Sequence, residues 1–452
     1  MAASISYDEN HRLIISGLEC DCACEHRIPD QDIYVGEDIV EKLPEYIGKR
    51  KLGRNCVLVC DKNTFRVAGE RVEKILKAAG INVIMCLLKR EGDVDPDERS
   101  VGEVLLSIQP ETEFLVAVGS GSITDTCRVN AARTGLPFVS VGTAPSMDGY
   151  TSAVAPLLLR GLKIHRQGPC PEIICCDTRI MATAPSWMIA AGVGDVLGKF
   201  IAKADWKIGR IINGEVYCDV CGKIVTDALE KLLNHLEEIR ARSDEGIRLL
   251  TEALLLSGMT IMLIGHTRAV ASVEHNIAHY WEMMQMFRGR PAPGHGASVG
   301  VSTRLVWPVF KRLAEEDLSG VSLEQARACL PGREERIRWM HYAFGPAAEP
   351  IMAENEGDFL TEAELERRVR TAQAHMDEIR AVIREMPPLS RIEDAMRFLG
   401  APMTADELGV DDAMLDLSMH CAKDYRTRYT LFKLIAECGL EEKYLGPAPA
   451  YS

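Results

Sequence analysis

The sequence lacks the excess of basic residues that is typical of proteins that bind nucleic acids. It has 52 Lys and Arg against 66 Asp and Glu, which gives a formal net charge of −14. Because nucleic acids and anionic membranes attract basic surfaces, this charge argues against either as a general partner. It does not argue against a small anionic ligand, since one local group of cations can oppose the charge of the whole chain.

A secretory signal and a long apolar run are also missing. The first 20 residues contain no basic stretch followed by an apolar one. The most apolar helix-like segment, 253–265, is shorter than the roughly 20 residues that a membrane span needs. An odd count of 15 cysteines in a long chain of this kind favours reduced thiols over a disulfide framework. We therefore expect a cytoplasmic protein without a membrane partner.

The length of 452 residues suits two or three domains at about 150 residues each. Between residues 54 and 177, short apolar runs alternate with amphipathic stretches, which predicts a parallel sheet with helical crossovers. After Pro185, apolar residues recur at intervals of three and four, which predicts helices alone. The sequence thus predicts an α/β domain over 1–185 and an all-helical domain over 186–452.

A glycine-containing turn follows one of the predicted strands, in AVGSGSITD (117–125). Gly119 and Gly121 would let the backbone approach a ligand, and the next helix would offer its first N–H groups to a phosphate. Thr124 stands where G-x-G-x-x-G has its third glycine, and no P-loop lysine follows. A dinucleotide site and an ordinary strand–helix turn both fit this segment taken alone.

Two further segments carry polar groups in positions that suit a ligand. Residues 139–157 run from a strand into a loop with one carboxylate, Asp148, and several hydroxyls, among them Thr143, Ser146, Thr151 and Ser152. Ligands of α/β sheets bind beyond the carboxyl ends of strands, although a solvated connection is the alternative here. On a predicted helix, Asp195 and Lys199 are four residues apart and share a face. An Asp–Lys pair on the protein surface without a function has the same spacing.

Three histidines and one acid have the spacing of a metal site. His275 and His279 are at i and i+4 on a predicted helix, and His295 follows in a loop between two glycines. With Asp195, two of these imidazoles would leave an open position on a catalytic divalent ion. Cysteines at 20, 22 and 24, with His26, would project from one side of an extended strand. These cysteines fit either a metal site or reduced thiols at the surface. Zinc sites usually have two residues between cysteines, whereas one residue separates these.

Four segments in this order, GSGSITD, TAPSMDGYTS, AAGVGDVLGK and EHNIAH with GHG, resemble the sn-glycerol-1-phosphate dehydrogenases. These belong to a wider group with iron-containing alcohol dehydrogenases, glycerol dehydrogenases and dehydroquinate synthases. The resemblance spans about residues 30–305. It implies a Rossmann-like dinucleotide-binding domain, an all-α second domain and an active site in the cleft between them. It also implies NAD(H) or NADP(H), one divalent metal, and a homodimer or a higher homo-oligomer.

The resemblance assigns the metal to Asp195, His275 and His295, with His279 beside it and Asp148 as the substrate-binding acid. Iron-type alcohol dehydrogenases have a further histidine where this chain has Lys199, which favours zinc or nickel over iron. We expect Lys199 and Arg268 to bind the substrate phosphate. Asp61, at the end of a strand, would bind the adenosine ribose and favour NAD. The expected cofactor residues are Asp61, Gly119, Gly121, Ser122, Ile123, Thr124, Asp125, Thr143, Ala144, Pro145, Ser146 and Ser152.

The reaction that the resemblance implies is hydride transfer between a nicotinamide cofactor and a small phosphorylated three-carbon substrate. Dihydroxyacetone phosphate would be reduced to sn-glycerol 1-phosphate, or the reverse. Three alternatives stay open at this point. They are a polyol dehydrogenase that acts on unphosphorylated glycerol, a dehydroquinate-synthase-like lyase that releases no NADH, and a metal-binding protein without catalysis.

Overall fold

The chain forms two compact units in a computed structural model, which describes residues 4–24, 26, 30–160, 162–355 and 360–449. Unit 1 comprises residues 1–196 and 223–266, and unit 2 comprises 197–222 and 267–452. The predicted domains, 1–185 and 186–452, differ from these units mainly because 223–266 packs with the N-terminal residues. The predicted single boundary stays a prediction.

Unit 1 contains a six-stranded parallel sheet and two antiparallel hairpins. The strands are β1 Ser4–Tyr7, β2 Leu13–Ser16, β3 Asp32–Gly36, β4 Asn55–Asp61, β5 Asn82–Leu88, β6 Phe114–Gly119, β7 Phe138–Gly142, β8 Val154–Leu159, β9 Leu162–Gln167 and β10 Ile173–Asp177. The sheet has the order β3-β10-β7-β6-β4-β5, and β1-β2 and β8-β9 form the hairpins. This arrangement confirms the predicted parallel sheet.

The strands read as unbroken apolar runs because both faces of the sheet are buried. In β4, Cys56, Leu58 and Cys60 contribute to one hydrophobic core, and Val57 and Val59 contribute to another. Alternate side chains of a strand point to opposite faces, so each face has a core of its own. Helices cover both faces, as in other parallel sheets.

The order of the strands creates a switch point beside β4. The chain passes from β4 to β5 on one side, and then crosses to β6 on the other side. In open α/β sheets, ligands bind at the carboxyl ends of the two strands that flank such a point. Here those ends carry Asp61 on β4 and Gly119 on β6.

The helices of the described chain follow in sequence order. They are α1 Leu43–Arg50, α2 Lys62–Thr64, α3 Glu70–Ala78, α4 Glu98–Ser107, α5 Gly121–Thr134, α6 Thr178–Met181, α7 Ser186–Leu197, α8 Lys199–Asn213, α9 Asp219–Leu233, α10 Leu236–Ala241, α11 Asp244–Ile264, α12 Val273–Phe287, α13 His295–Ala314, α14 Leu323–Ala328, α15 Arg333–Phe344, α16 Ala348–Glu354, α17 Glu362–Ala374, α18 Met376–Arg384, α19 Leu389–Leu399, α20 Asp412–Cys421, α21 Leu431–Glu437 and α22 Glu441–Leu445. In the part of the chain that the structure describes, no strand follows α7.

Two long helices predicted from periodicity are each split. The segment 225–242 falls in α9 and α10, and 362–386 falls in α17 and α18. His235 and His375 occupy the breaks with φ values of −129° and −114°, outside the helical range. Apolar periodicity continues across each break, so the pattern alone does not reveal it.

Helix α11 is the one element that could cross a membrane by length and composition in the described residues. The helix has 21 residues and is longer than the apolar segment 253–265. The prediction that this part of the chain is too short to span a membrane is therefore wrong for the helix as a whole. However, 83% of its most apolar window is buried inside the protein. This burial is what the core helix of a folded domain requires.

Candidate active site

The turn between β6 and α5 brings backbone N–H groups to the switch point of the sheet. A Cβ atom added at Gly119 would lie 2.6 Å from the Cβ and Cγ1 atoms of Ile123, so glycine permits the close approach of strand and helix. No side chain caps α5. The N–H groups of Gly121, Ser122 and Ile123 in its first turn have no acceptor within the helix, and an anion would be stabilised there.

The loop after β7 lies directly beside this turn. The Thr143 N–H donates to the Gly119 carbonyl at 3.1 Å, and the hydroxyls of Ser120 and Ser146 are 2.9 Å apart. The Tyr150 hydroxyl donates to the Ala144 carbonyl at 2.9 Å. Two of the segments predicted to bind the cofactor are therefore adjacent in unit 1.

Two helical glycines hold the polar loop 143–152 between α7 and α11. A Cβ atom at Gly192 would lie 1.9 Å from the Pro145 carbonyl oxygen, and one at Gly258 would lie 2.4 Å from the Asp148 carbonyl oxygen. Any larger side chain at either position would displace the loop. The two helices thereby fix the backbone that carries Asp148.

Asp148 and Asp195 are neighbours within unit 1. The Asp148 N–H donates to Asp195 Oδ2 at 3.1 Å, and the Ser257 hydroxyl donates to Asp148 Oδ2 at 2.6 Å. Asp195 is fully buried, whereas Asp148 is partly exposed. A buried carboxylate needs strong partners to stay ionised, which suits a metal ligand.

Asp125 has a structural partner in Arg128, with which it forms a buried ion pair. Arg128 also donates to the carbonyls of Gly149 and Tyr150, at 2.9 and 3.3 Å, and so ties α5 to the polar loop. Burial raises the pKa of Asp125 to about 7, although the charges of Arg128 and Lys163 lower it. The predicted contact between Asp125 and a cofactor stays a prediction.

Other predicted cofactor residues also have local partners. Asp61 caps α2 by accepting from the N–H groups of Asn63 and Thr64, at 2.7 and 2.8 Å. The Ser152 hydroxyl donates to the Val154 carbonyl at 3.0 Å. Asp61 nevertheless lies at the carboxyl end of β4, which is the position expected of a ribose-binding acid.

In unit 2, three histidines lie together at the junction of α12 and the start of α13. The ring centroid of His275 is 6.2 Å from that of His279 and 5.5 Å from that of His295. His279 and His295 stack with centroids 5.1 Å apart. His295 is the first residue of α13, so the Gly-flanked loop predicted for it is already helical there.

Two buried glutamates orient these histidines, and the sequence analysis missed both. Glu274 Oε1 lies 2.7 Å from His275 Nδ1, and Glu282 Oε1 lies 2.8 Å from His295 Nδ1. Glu282 Oε2 is also 3.5 Å from His279 Nδ1. Carboxylates on Nδ1 leave Nε2 as the ligand atom, as in many metal sites. Glu282 is three residues after His279, so helical spacing was the available signal.

The start of α12 is held by a buried acid of α8. Asp205 accepts from the Ser272 hydroxyl at 2.5 Å and from the Leu431 N–H at 2.7 Å. Burial raises the pKa of Asp205 to about 7 against the effect of these two bonds. Ser272 directly precedes α12, so Asp205 positions the helix that carries His275 and His279.

The two predicted phosphate-binding cations have different surroundings in unit 2. Lys199 is the first residue of α8 and is 1% exposed. Arg268 forms an ion pair with Glu215 at 2.6 Å and donates to the Tyr429 carbonyl at 2.7 Å. These contacts give Arg268 a structural function within the unit.

Comparisons with known proteins place these features in a family. Residues 34–185 match the family model of iron-containing alcohol dehydrogenases. The glycerol-1-phosphate dehydrogenase (NAD(P)+) of Halalkalibacterium halodurans is 31% identical over 422 residues, which are 93% of this chain and 96% of that protein. This chain belongs to the glycerol-1-phosphate dehydrogenase family. The enzyme of the same name from Bacillus subtilis is 40% identical over 70% of this chain and 82% of its own length.

Solved structures confirm the fold of this family member. A variant of an archaeal alcohol dehydrogenase from a Red Sea brine pool has a TM-score of 0.60 at 14% identity, covering 94% of this chain and 99% of that one. A probable glycerol dehydrogenase from Sinorhizobium meliloti has a TM-score of 0.57 at 18% identity, covering 93% and 97%. The α/β part followed by a helical part is thus the fold of iron-type alcohol dehydrogenases.

Proposed function

We propose that this chain is a metal-dependent, NAD(P)-linked dehydrogenase that interconverts dihydroxyacetone phosphate and sn-glycerol 1-phosphate. The observation that carries the proposal is the match, over 93% of the chain, to the H. halodurans protein that bears the name glycerol-1-phosphate dehydrogenase (NAD(P)+). A relative similar along nearly its whole length favours this reaction over a polyol dehydrogenase or a lyase.

The dinucleotide would bind in unit 1 at the switch point of the sheet. The first N–H groups of α5 would hold its pyrophosphate, since the N-cap residue of this helix, Ser120, makes no side-chain capping hydrogen bond. Thr143 to Ser146 would contact it from the adjacent loop, and Ser152 from beyond the Asp148 turn. Asp61 would accept hydrogen bonds from the adenosine ribose, which favours NAD over NADP.

The metal would be held by Asp195, His275 and His295. The Nδ1 atoms of His275 and His295 each lie beside the carboxylate of a buried glutamate. This leaves the lone pair of each ring on Nε2, where it can bind a divalent ion. Lys199 stands where iron-type relatives have a further histidine, so we propose zinc or nickel. A metal held there would supply Lewis-acid chemistry, and the bound nicotinamide would supply or accept the hydride.

The remaining polar residues would bind and orient the substrate. Asp148, held by Ser257, would accept hydrogen bonds from the substrate hydroxyl. His279, with Nδ1 directed towards Glu282, would hold or pass a proton at Nε2. Lys199 and Arg268 would counter the phosphate, although the contacts of Arg268 with Glu215 and Tyr429 make Lys199 the principal cation of this proposal.

We extend the proposal to the location and assembly of the protein. The odd count of 15 cysteines favours reduced thiols over a disulfide framework, which supports the reducing cytoplasm as its location. By resemblance to the family, the chain would form a homodimer or a higher homo-oligomer. Sedimentation of the full chain tests this assembly, and a monomer would contradict it.

The reaction is tested by following NADH absorbance with purified, metal-loaded full-length protein. Dihydroxyacetone phosphate should cause rapid oxidation of NADH, unphosphorylated dihydroxyacetone should cause far less, and the product should be the 1-phosphate enantiomer. Preference for dihydroxyacetone would instead support the polyol dehydrogenase. No net change in NADH with any ketone would support a lyase or a protein without catalysis.

A further inference from the structure

Three potential metal ligands lie together in unit 1, outside the residues of the proposed active site. The Cys20 and Cys22 Sγ atoms are 3.0 Å apart. His26 Nε2 is 2.9 Å from Cys20 Sγ and 3.3 Å from Cys22 Sγ. Three soft or borderline donor atoms therefore surround one point. Residues 17–24 belong to no strand, so the predicted extended arrangement of the three cysteines is wrong.

His26 is oriented from its other ring nitrogen. Its Nδ1 lies 3.0 Å from the Leu263 carbonyl oxygen, at the end of α11. The last carbonyls of a helix accept no hydrogen bond from N–H groups of the same helix. A protonated Nδ1 donates to that carbonyl, so Nε2 carries the lone pair that faces the two sulfurs. Metal-ligating histidines commonly have such a backbone partner.

The chemistry of these donors selects the class of ion. Thiolates and an imidazole suit zinc and similar thiophilic ions, and suit magnesium or calcium poorly. With Zn–S distances of about 2.3 Å, donors around a tetrahedral ion lie about 3.5–3.8 Å apart. The observed separations of 2.9–3.3 Å need to widen by less than 1 Å, which a segment without regular structure allows.

We propose that Cys20, Cys22 and His26 form a second metal site that binds a thiophilic divalent cation, with zinc as the expected ion. The site fastens the segment after β2 to the C-terminal end of α11 through the contact between His26 and Leu263. Its role is structural, because none of its residues belongs to the proposed cofactor or substrate site. A fourth ligand, either water or another protein donor, completes the tetrahedron.

Metal analysis of the full chain tests this site separately from the proposed catalytic one. In a His275→Ala background, which removes a ligand of the catalytic metal, zinc-loaded protein should retain one zinc ion per chain. Adding Cys20→Ser and Cys22→Ser should remove that ion, whereas adding Cys24→Ser should not. Cys24 is a matched control because it lies in the same segment and is partly exposed, but does not belong to the donor cluster. Equal zinc contents in the two sets of variants would overturn the proposal.

Alkylation of the unaltered protein provides a test that does not depend on folding of the variants. Zinc added to reduced protein should slow the modification of Cys20 and Cys22 at least tenfold and leave that of Cys24 unchanged. Cobalt in place of zinc should give thiolate-to-metal charge-transfer bands. Equal alkylation of the three thiols with and without zinc, or recovery of a Cys20–Cys22 disulfide from zinc-loaded protein, would contradict a metal site.

Discussion

Glu282 is the residue that joins two of the three histidines of unit 2. Glu282 is 3% exposed, and its carboxylate oxygens lie 2.8 Å from His295 Nδ1 and 3.5 Å from His279 Nδ1. A carboxylate beside Nδ1 fixes the tautomer and the ring orientation of a metal-ligating imidazole. The metal affinity of the protein should therefore depend on a residue outside the proposed ligand set.

We predict that Glu282→Gln weakens metal binding by about 10- to 100-fold, because outer partners of ligating histidines have effects of this size. Competition with a chromogenic chelator measures the affinity, and circular dichroism monitors the fold. Glu315→Gln, at an exposed acid just after α13, is the control and should bind metal like the unaltered protein. Unchanged affinity in Glu282→Gln would show that Glu282 does not support the metal site.

Lys199 is the residue that we propose to distinguish a phosphorylated substrate from a plain triose. We predict that Lys199→Met lowers kcat/KM for dihydroxyacetone phosphate by about 10- to 100-fold, the value of one charged hydrogen bond. The slower reaction with dihydroxyacetone should change little. Steady-state kinetics measure both, with Lys203→Met, one turn further along α8, as the control. An equal loss with both substrates would mean that Lys199 supports the structure or the metal and does not bind phosphate.

At the scale of elements, the polar loop depends on two helices that approach it closely. We predict that Gly192→Ala lowers the free energy of unfolding by about 1–3 kcal/mol, as overpacking does, because the new methyl group would lie 1.9 Å from the Pro145 carbonyl oxygen. It should also weaken NADH binding, which fluorescence titration measures. Gly102→Ala, on α4, has no atom within 4 Å of the added Cβ. It should leave the free energy of unfolding and the affinity for NADH unchanged.

The attachment of α12 to α8 through Asp205 should make stability depend on pH. The pKa of Asp205 rises from 3.8 to about 7 on folding because the carboxyl group is buried. The folded chain then binds more protons than the unfolded chain, so the free energy of unfolding falls as pH rises from about 4 to 7.

Asp205→Asn should remove this contribution, which is on the order of 2 kcal/mol between pH 5 and 8. Urea unfolding at both pH values measures it. The advantage of the unaltered protein over Asp205→Asn should be smaller at pH 8 than at pH 5, whereas the exposed control Asp406→Asn should show no such difference. An advantage that grows with pH would contradict a raised pKa.

Strands with an unbroken apolar sequence could be predicted from the sequence. Features that depend on contacts between particular side chains could not. The run NCVLVCD in β4 is buried on both faces, so its sequence alone indicated a parallel strand. The predicted loop within 139–157 included the first part of strand β8, which contains Pro156, a residue that cannot donate to a strand ladder. The roles of Glu274 and Glu282 depend on side-chain geometry that helical spacing permits but does not require.

At the scale of the whole molecule, the net charge of −14 and the proposed binding of two anions are compatible. The cofactor pyrophosphate would be held by backbone N–H groups at the start of α5, which need no positive side chain. The substrate phosphate would be held by few cations, with Lys199 foremost. Composition argues against anionic polymers as partners, but local geometry decides whether small anions bind.

Hydride transfer by this protein should require a divalent metal held by His275, His295 and Asp195. Metal content and NADH oxidation with dihydroxyacetone phosphate should be measured together, in stripped and reloaded protein. The unaltered protein and the control His235→Ala, at a partly exposed histidine, should regain activity with zinc or nickel. His275→Ala should hold one metal ion per chain fewer than the unaltered protein and show no turnover. Full metal content together with full turnover in His275→Ala would contradict the proposed ligand set.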